Sequence, residues 1–280
     1  MRTLLIAHDG APLDREGLAR WLGSFSTFAG TVVVREDRRR LRQRISRELA
    51  RIGPLRFIDV LAFRVFYRLA RAQADRRWEA RQLTKLRQAF PPAAGPECIV
   101  SSPNSAGAEA FIRECRPDLV VARCKTILKE SIFTIPPLGT YVLHPGICPE
   151  YRNAHGCFWA RALGDDGNVG ATLLRIDRGI DTGPVFGYFR VAADLSESHV
   201  VTQHRVVIEH LDAIRDRLLE IAAGRATAID TSGRGSATWG QPWLSAYLKM
   251  RGRAFKPRGA SLKADALKAD ALKSEVSRLH

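Results

Sequence analysis

The chain alternates short apolar runs with longer stretches in which apolar side chains recur every three or four positions. Short apolar or β-branched runs indicate buried strands, and the three-to-four spacing indicates amphipathic helices. Helical spacing separates most of the runs. Strands that alternate with helices predict an open α/β sheet that is mostly parallel. The strand-like runs are residues 3–7, 31–34, 98–101, 118–122, 140–143 and 169–176, and helices are predicted at residues 105–114, 126–132 and 196–223.

An arginine-rich segment at residues 35–90 interrupts this alternation. Its spacing is helical throughout, which predicts an inserted pair or trio of helices. We interpret its central part as a basic amphipathic helix packed against the core with a solvated face, while docking on an anionic membrane and nucleic-acid contact remain alternatives. One helical face carries four apolar side chains and another carries three arginines: Ile58, Leu61, Val65 and Leu69; Arg64, Arg68 and Arg71.

Two further segments complete the predicted organisation. Residues 1–226 are expected to form one α/β domain that contains the insertion, and residues 227–280 a C-terminal addition. The start of that addition is aromatic and glycine-rich, which indicates an irregular cover. Its end repeats LKADA with a period of five residues. That period fits neither a straight helix nor a coiled coil, so a mobile tail is predicted.

The net charge of +15 is unusual for a chain whose hydrophobic fraction, 45%, is ordinary. Such a surplus predicts attraction to an anionic partner: nucleic acid, a nucleotide-linked or phosphorylated substrate, or an acidic membrane surface. Charge alone does not choose among these partners.

The cysteines indicate a reducing compartment. They number five and are scattered along a chain of 280 residues, which favours free thiols and a cytoplasmic protein. The first apolar run has only about five residues, far fewer than the roughly 20 that span a bilayer, so it is interpreted as a strand.

Candidate chemistry follows the strand at residues 140–143. His144 lies at the exit of this strand, where an open α/β sheet binds its ligands. The turn after it is rich in polar side chains, and a second acidic segment, DRGIDTGP, places Asp181 before a tight turn. Two alternatives are a zinc site that includes His155 and a Cys148 nucleophile. The zinc spacing matches no common pattern and the thiol has no evident orienting group, so no metal is expected.

Several motifs in fixed order resemble the folate-dependent formyltransferases, the family that includes methionyl-tRNA, glycinamide ribonucleotide and sugar-amine formyltransferases. They are PPLG, HPGICPEYRNAHG, FWA and VGATLLRIDRGIDTGPVF. The resemblance is close over residues 98–190 and loose over the first strands, with the active-site half at residues 144–184. It implies the open, mostly parallel Rossmann-like sheet of this family, with the basic helical insertion added.

The resemblance also implies a reaction, in which a primary amine attacks the formyl carbon of 10-formyltetrahydrofolate. His144 would stabilise the oxyanion, and Asp181 would orient His144 and assist proton removal. The family has an Asn two positions before this His, where this chain has Val142. Loss of one oxyanion donor costs on the order of 100-fold to 1000-fold in rate. Asn153 is expected to supply the missing donor.

Folate contacts are implied for the loop at Arg123, Cys124 and Lys125 and for the turn that begins at Ile176 and Asp177. The acceptor is expected to be a small amine, and an amine linked to a nucleotide is one candidate. A tRNA acceptor is not favoured, because the roughly 55 residues after the long helix lack the strand alternation of a barrel. Two alternatives remain: a hydrolase that releases formate, and a non-catalytic protein that binds an anionic partner through the insertion.

Overall fold

The computed structural model describes residues 1–35 and 38–254, so the LKADA repeat lies outside the described residues. Its main feature is one seven-stranded sheet with the order β3-β2-β1-β4-β5-β7-β8. The two remaining strands, β6 and β9, pair with each other. The strands are β1 Arg2–His8, β2 Thr27–Val34, β3 Glu97–Val100, β4 Leu119–Arg123, β5 Thr140–His144, β6 Arg152–Asn153, β7 Gly170–Arg175, β8 Val185–Arg190 and β9 Thr238–Trp239.

The first five strands of the main sheet are parallel, and β7 and β8 are antiparallel additions at one edge. This topology confirms the predicted open, mostly parallel α/β sheet. The apolar runs of β1 and β4 are buried on both faces, as expected for central parallel strands. The sequence pattern did not predict β6, β8 or β9. The last of these lies in the region that was predicted to be an irregular cover.

Helices cover both faces of the sheet, and three predictions about them need correction. The helix predicted at 196–223 is two helices, α7 and α8, separated by residues 209–210. The one predicted at 126–132 is reduced to α5, and part of the predicted cover is helical as α9. The helices are α1 Leu18–Gly23, α2 Arg38–Ala70, α3 Ala72–Ala89, α4 Ala106–Cys115, α5 Glu130–Phe133, α6 Gly156–Leu163, α7 His199–Ile208, α8 Leu211–Ala222 and α9 Leu244–Ala254.

The basic insertion consists of α2 and α3, and its packing reverses the predicted orientation. Gly53 interrupts α2 with a φ of 76° and a ψ of 166°, and Pro54 follows it. After this break Val60 and Phe63 are buried. The predicted apolar face, by contrast, points outward, with Ile58 and Leu69 exposed to 62% and 82%. Aromatic side chains on the other face take the core position, because they offer more apolar area to bury.

An aromatic seam, defined here as Phe63, Tyr67, Phe158, His199 and Tyr247, fastens the insertion to the sheet domain. The Phe63 ring centroid lies 5.8 Å from that of Phe158, 5.1 Å from that of His199 and 5.6 Å from that of Tyr247. The seam therefore joins α2 to α6, α7 and α9. Such tilted and edge-on ring pairs stabilise a contact beyond the area that they bury.

Two half-buried histidines lie together here: His199, which belongs to the seam, and His155 beside it. The His155 ring lies 5.2 Å from the His199 ring, edge to face. Burial lowers the pKa of His155 to about 4, with Lys125 adding to the effect. Burial also holds the pKa of His199 well below its ordinary value. Both rings are therefore packed as neutral groups near neutral pH.

The described part of the chain contains no helix of the length and apolarity that crossing a bilayer requires. All five cysteines are described, and each is a free thiol.

We expect the free energy of unfolding to fall as the pH is lowered from about 6.5 to about 4. In this window a histidine of the unfolded chain binds a proton, whereas folded His155 remains neutral. Urea unfolding should therefore give a stability about 2 kcal/mol lower near pH 5 than near pH 7, per histidine of this kind. His155→Asn, which tolerates the φ of 56° at this position, should weaken that dependence. An unchanged dependence in the variant would contradict the assignment to His155.

Candidate active site

His144 ends β5 at the carboxyl edge of the sheet, and its side chain is only 5% exposed. Its Nδ1 lies 3.3 Å from Oδ2 of Asp181. Its Nε2 lies 2.8 Å from the carbonyl oxygen of Tyr151. The structure therefore brings together the two residues that the sequence predicted as a catalytic pair, and it adds a backbone acceptor on the other side of the ring.

The turn that carries Asp181 is held by its own side chains. Asp177 accepts hydrogen bonds from the Gly179 N–H at 2.9 Å and from the Thr182 hydroxyl at 2.8 Å. A Cβ at Gly183 would lie 1.9 Å from the carbonyl oxygen of Arg175, so only glycine fits there. The DTGP motif thus forms a tight turn that places Asp181 next to the end of β5.

Asp181 also accepts a hydrogen bond from the backbone N–H of Asn153, at 2.8 Å from the same Oδ2 that faces His144. Asn153 and Asp181 both have positive φ, 73° and 51°, which asparagine and aspartate tolerate better than most residues. One carboxylate oxygen therefore joins the loop after β5 to the turn before β8. This contact fixes the carboxylate relative to the imidazole.

The hydrogen-bond partners of His144 define what its ring can do. A neutral imidazole has one N–H and can donate to only one of two acceptors. The imidazolium has two and can donate both to Asp181 and to the Tyr151 carbonyl. An imidazolium beside a carboxylate is a group that can donate a proton or a hydrogen bond to a developing oxyanion.

Val142 lies on the same side of β5 as His144, two positions earlier, and packs beside Leu174 and Val185. It offers no donor. The side-chain amide of Asn153 donates to the Trp239 carbonyl at 2.7 Å, away from the imidazole. Thr140, two positions before Val142, donates its hydroxyl to the Phe133 carbonyl. The geometry thus favours a positioning role for Asn153 through its backbone, in place of the predicted role as an oxyanion donor.

Arg123, which the resemblance assigned to folate, is engaged inside the protein. Its guanidinium lies 3.2 Å from Asp14 and donates to the Leu143 carbonyl at 2.6 Å. Its side chain is only 7% exposed. Burial alone would raise the pKa of Asp14, but Arg123 and His204 together hold it well below its ordinary range. These contacts favour Arg123 as the residue that fixes the peptide before His144, and they do not favour a side-chain contact with the glutamyl tail.

Cys124 and Lys125 continue from β4 at the same edge. The Cys124 thiol lies 3.5 Å from the Thr126 carbonyl, and burial raises its pKa to about 11. The backbone N–H of Lys125 donates to Nε2 of His8 at 2.9 Å. The ends of β1 and β4 are therefore tied together beside β5.

Ile176 and Asp177, the other residues assigned to folate, follow β7. The Ile176 N–H donates to the Thr140 carbonyl at 2.8 Å, at the opposite end of β5 from His144. The Asp177 carboxylate is used within the turn described above. Both residues therefore belong to the scaffold that carries Asp181. A ligand would contact them through backbone groups.

Burial disfavours the alternative in which Cys148 acts as a nucleophile. Burial raises the pKa of this thiol well above its ordinary value, and nearby Asp181 adds to the effect. A reactive thiol needs the opposite environment.

Several residues of the site escaped prediction: His8, Asp14, Tyr151, His204 and Trp239. Tyr151 contributes only its carbonyl, which no side-chain motif reports. Asp14 and His204 are 190 positions apart in the chain and meet only through the fold, with His204 Nδ1 at 3.5 Å from the carboxylate. His8 lies at the end of a predicted strand, and this position could have identified it as a candidate site residue.

Comparison with known proteins connects this geometry to a family. The formyl transferase family model matches residues 79–213. The methionyl-tRNA formyltransferase of Dehalococcoides mccartyi strain CBDB1 is 39% identical over 85 residues, which cover 30% of this chain and 27% of that protein. That of Thermus thermophilus is 28% identical over 175 residues, covering 53% of this chain and 57% of that protein. The chain thus spans between about a quarter and a little over half of these curated relatives.

Solved structures share the fold along most of the chain. Phosphoribosylglycinamide formyltransferase from Anaplasma phagocytophilum matches with a TM-score of 0.53 and 15% identity, covering 84% of this chain and 97% of that one. A sugar N-formyltransferase from Shewanella sp FDAARGOS_354 matches with a TM-score of 0.52 and 15% identity, covering 98% and 88%. The matched segment contains His144 and Asp181, and over residues 79–213 the chain is similar to the formyl transferase family.

Proposed function

We propose that this protein transfers the formyl group of 10-formyltetrahydrofolate to a primary amine of a small substrate. The observation that carries the proposal is the contact between buried His144 and half-buried Asp181, 3.3 Å apart at the carboxyl end of β5. Ligands of open α/β sheets bind at this edge. The pair lies within the segment that matches the formyl transferase family.

The proposed reaction passes through a tetrahedral intermediate, and His144 and Asp181 have separate roles in it. The amine attacks the formyl carbon, forming a C–N bond and a tetrahedral oxyanion. In this proposal Nδ1 of His144 stays with Asp181, while Nε2 exchanges the Tyr151 carbonyl for the oxyanion and donates a hydrogen bond to it. Asp181 stabilises the positive charge on the ring. The attacking nitrogen then passes a proton, with the assistance of Asp181, to the folate nitrogen. The oxyanion re-forms the carbonyl, the C–N bond to the folate breaks, and tetrahydrofolate leaves with that proton.

Backbone groups of residues 123–125 and 176–177 are the proposed contacts for the folate. Strands β4 and β5 are parallel neighbours, with Ala122 opposite Val142, so residues 123–125 leave the sheet beside His144. The side chain of Arg123 is held by Asp14 and the Leu143 carbonyl. Recognition through peptide groups fits this arrangement, because it leaves those contacts intact.

The acceptor is proposed to be a small amine, with an amine on a nucleotide-linked sugar first among those to test. The sugar N-formyltransferase named above shares its fold with 98% of this chain. Methionyl-tRNA is included as a second acceptor, because the curated relatives carry that name.

The deciding experiment combines calorimetric titration with a non-reactive folate analogue and a transfer assay. The assay supplies 10-formyltetrahydrofolate with each candidate amine and measures formylated product. Saturable folate binding with product formation supports the proposal. Formate release without any amine would identify a hydrolase instead, and absence of folate binding would indicate the non-catalytic alternative.

We expect His144→Gln to lower kcat by on the order of 100-fold to 10,000-fold while the affinity for the folate analogue changes little. Asp181→Asn should lower kcat by about 100-fold or more, because it removes the charge that stabilises the imidazolium. The matched substitution Asp166→Asn, at an exposed aspartate, should leave kcat unchanged. Equal rates in Asp181→Asn and the wild type would exclude the pair from the mechanism.

Val142→Asn should restore the amide donor that the family has at this position and raise kcat about 10-fold or more. Its control is Val142→Ala, which removes side-chain volume from the contact with Leu174 and Val185 without adding a donor. A rise in Val142→Asn alone assigns the effect to the hydrogen bond. Equal rates in Val142→Asn and the wild type would show that another donor already serves the oxyanion.

A further inference from the structure

The outer face of α2 carries a continuous row of apolar side chains, named here the α2 stripe: Leu55, Ile58, Ala62, Val65 and Leu69. Their spacing of three, four, three and four keeps them on one side of the helix. Leu55 is 84% exposed, Ile58 62%, Val65 58% and Leu69 82%. The row is about 21 Å long at the rise of an α-helix. Single exposed apolar residues need no explanation, but a contiguous row marks an interaction surface.

The charged side chains exposed on α2 and α3 have one sign. Among the described side chains of residues 45–90, every exposed charged residue is cationic: Arg64, Arg68, Arg76, Arg77, Arg81, Lys85 and Arg87. Arg87 is paired with Glu16 at 2.6 Å. Arg68 lies three positions after Val65, along one edge of the stripe, and Arg64 lies one turn before Arg68 on the same side of the helix. The surface therefore combines an apolar row with a positive border.

The described acidic side chains of the same region are buried or half-buried, and each lies close to another group of the protein. Glu48 pairs with Arg51 at 2.8 Å, and Asp59 accepts from the Ser245 N–H at 3.0 Å. Asp75 is buried and accepts from the Tyr67 hydroxyl at 2.9 Å, and Glu79 lies 3.7 Å from His204. No described carboxylate of this region is therefore placed to offset the cations at the surface.

We propose that the α2 stripe and its cationic border dock this protein on an anionic phospholipid surface. An apolar row with a basic border is what a helix needs to lie in the headgroup region of such a membrane. A second copy of the chain would bring the cationic borders together, which is unfavourable. Nucleic acid would pair with the cations but leave the apolar row exposed to water.

The packing of α2 suits this role. Its opposite face is anchored by the aromatic seam and by Asp59, so the outer face is presented as part of a fixed body. Docking therefore requires no rearrangement of the core. His144 and Asp181 lie on other elements, so the two activities can be tested separately.

The test is co-sedimentation of the full chain with vesicles of phosphatidylcholine alone and with an equal mixture of phosphatidylcholine and phosphatidylserine. We expect binding to the mixed vesicles that weakens as salt is raised. Val65→Gln/Leu69→Gln and Arg64→Gln/Arg68→Gln should each reduce it about 10-fold or more. The control Leu219→Gln/Ile229→Gln, at exposed apolar residues elsewhere, should bind like the wild type.

Three results would overturn the proposal. The first is wild-type binding that is absent, or equal on both kinds of vesicle. The second is a wild-type dimer in sedimentation equilibrium that becomes a monomer in Val65→Gln/Leu69→Gln, which would assign the stripe to a second copy. The third is vesicle binding that occurs only after residues 255–280 are removed, which would assign the stripe to that segment. Circular dichroism of each variant verifies folding, and the substituted side chains are all exposed.

Discussion

The candidate active site depends on one carboxylate oxygen. Oδ2 of Asp181 faces the His144 ring and accepts the Asn153 N–H, so a single atom joins the loop after β5 to the turn before β8. The backbone on both sides of this contact has an unusual conformation. Gly183 allows the turn to approach the Arg175 carbonyl, and Asn153 and Asp181 both have positive φ. Two loops that are separate in the chain thereby become one rigid support for the imidazole.

The sequence predicted the sheet and the pairing of His144 with Asp181 because each appears as a local pattern of residues. Central parallel strands are continuous apolar runs, and His144 and Asp181 stand in short motifs with fixed spacing. The roles of Asn153 and Arg123 were not predictable in the same way. Asn153 turns its amide to Trp239, 86 positions away, and Arg123 pairs with Asp14, 109 positions away. Hydrogen bonds between residues that are distant in the chain cannot be predicted from the residues next to them in the sequence.

The basic insertion shows a second limit of pattern reading. Helical spacing identified α2, but two of its faces carry apolar side chains, and periodicity does not say which one is buried. The aromatic face packs inward through Phe63, and the aliphatic face remains outside. The aliphatic face is the exposed row described above. Because folding buries only one of the two apolar faces of α2, the other remains available for association with a partner.

The bond from Asn153 to Trp239 has a consequence for how the site can be isolated. The segment that matches the family ends at residue 213, and Trp239 in β9 lies beyond it. Asp14, which holds Arg123 against the Leu143 carbonyl, lies before it. A fragment cut to residues 79–213 would contain His144 and Asp181 but neither Trp239 nor Asp14. The segment that is similar to the family is therefore smaller than the set of residues that holds the candidate site together, and we expect that the segment alone would not keep the geometry of the site.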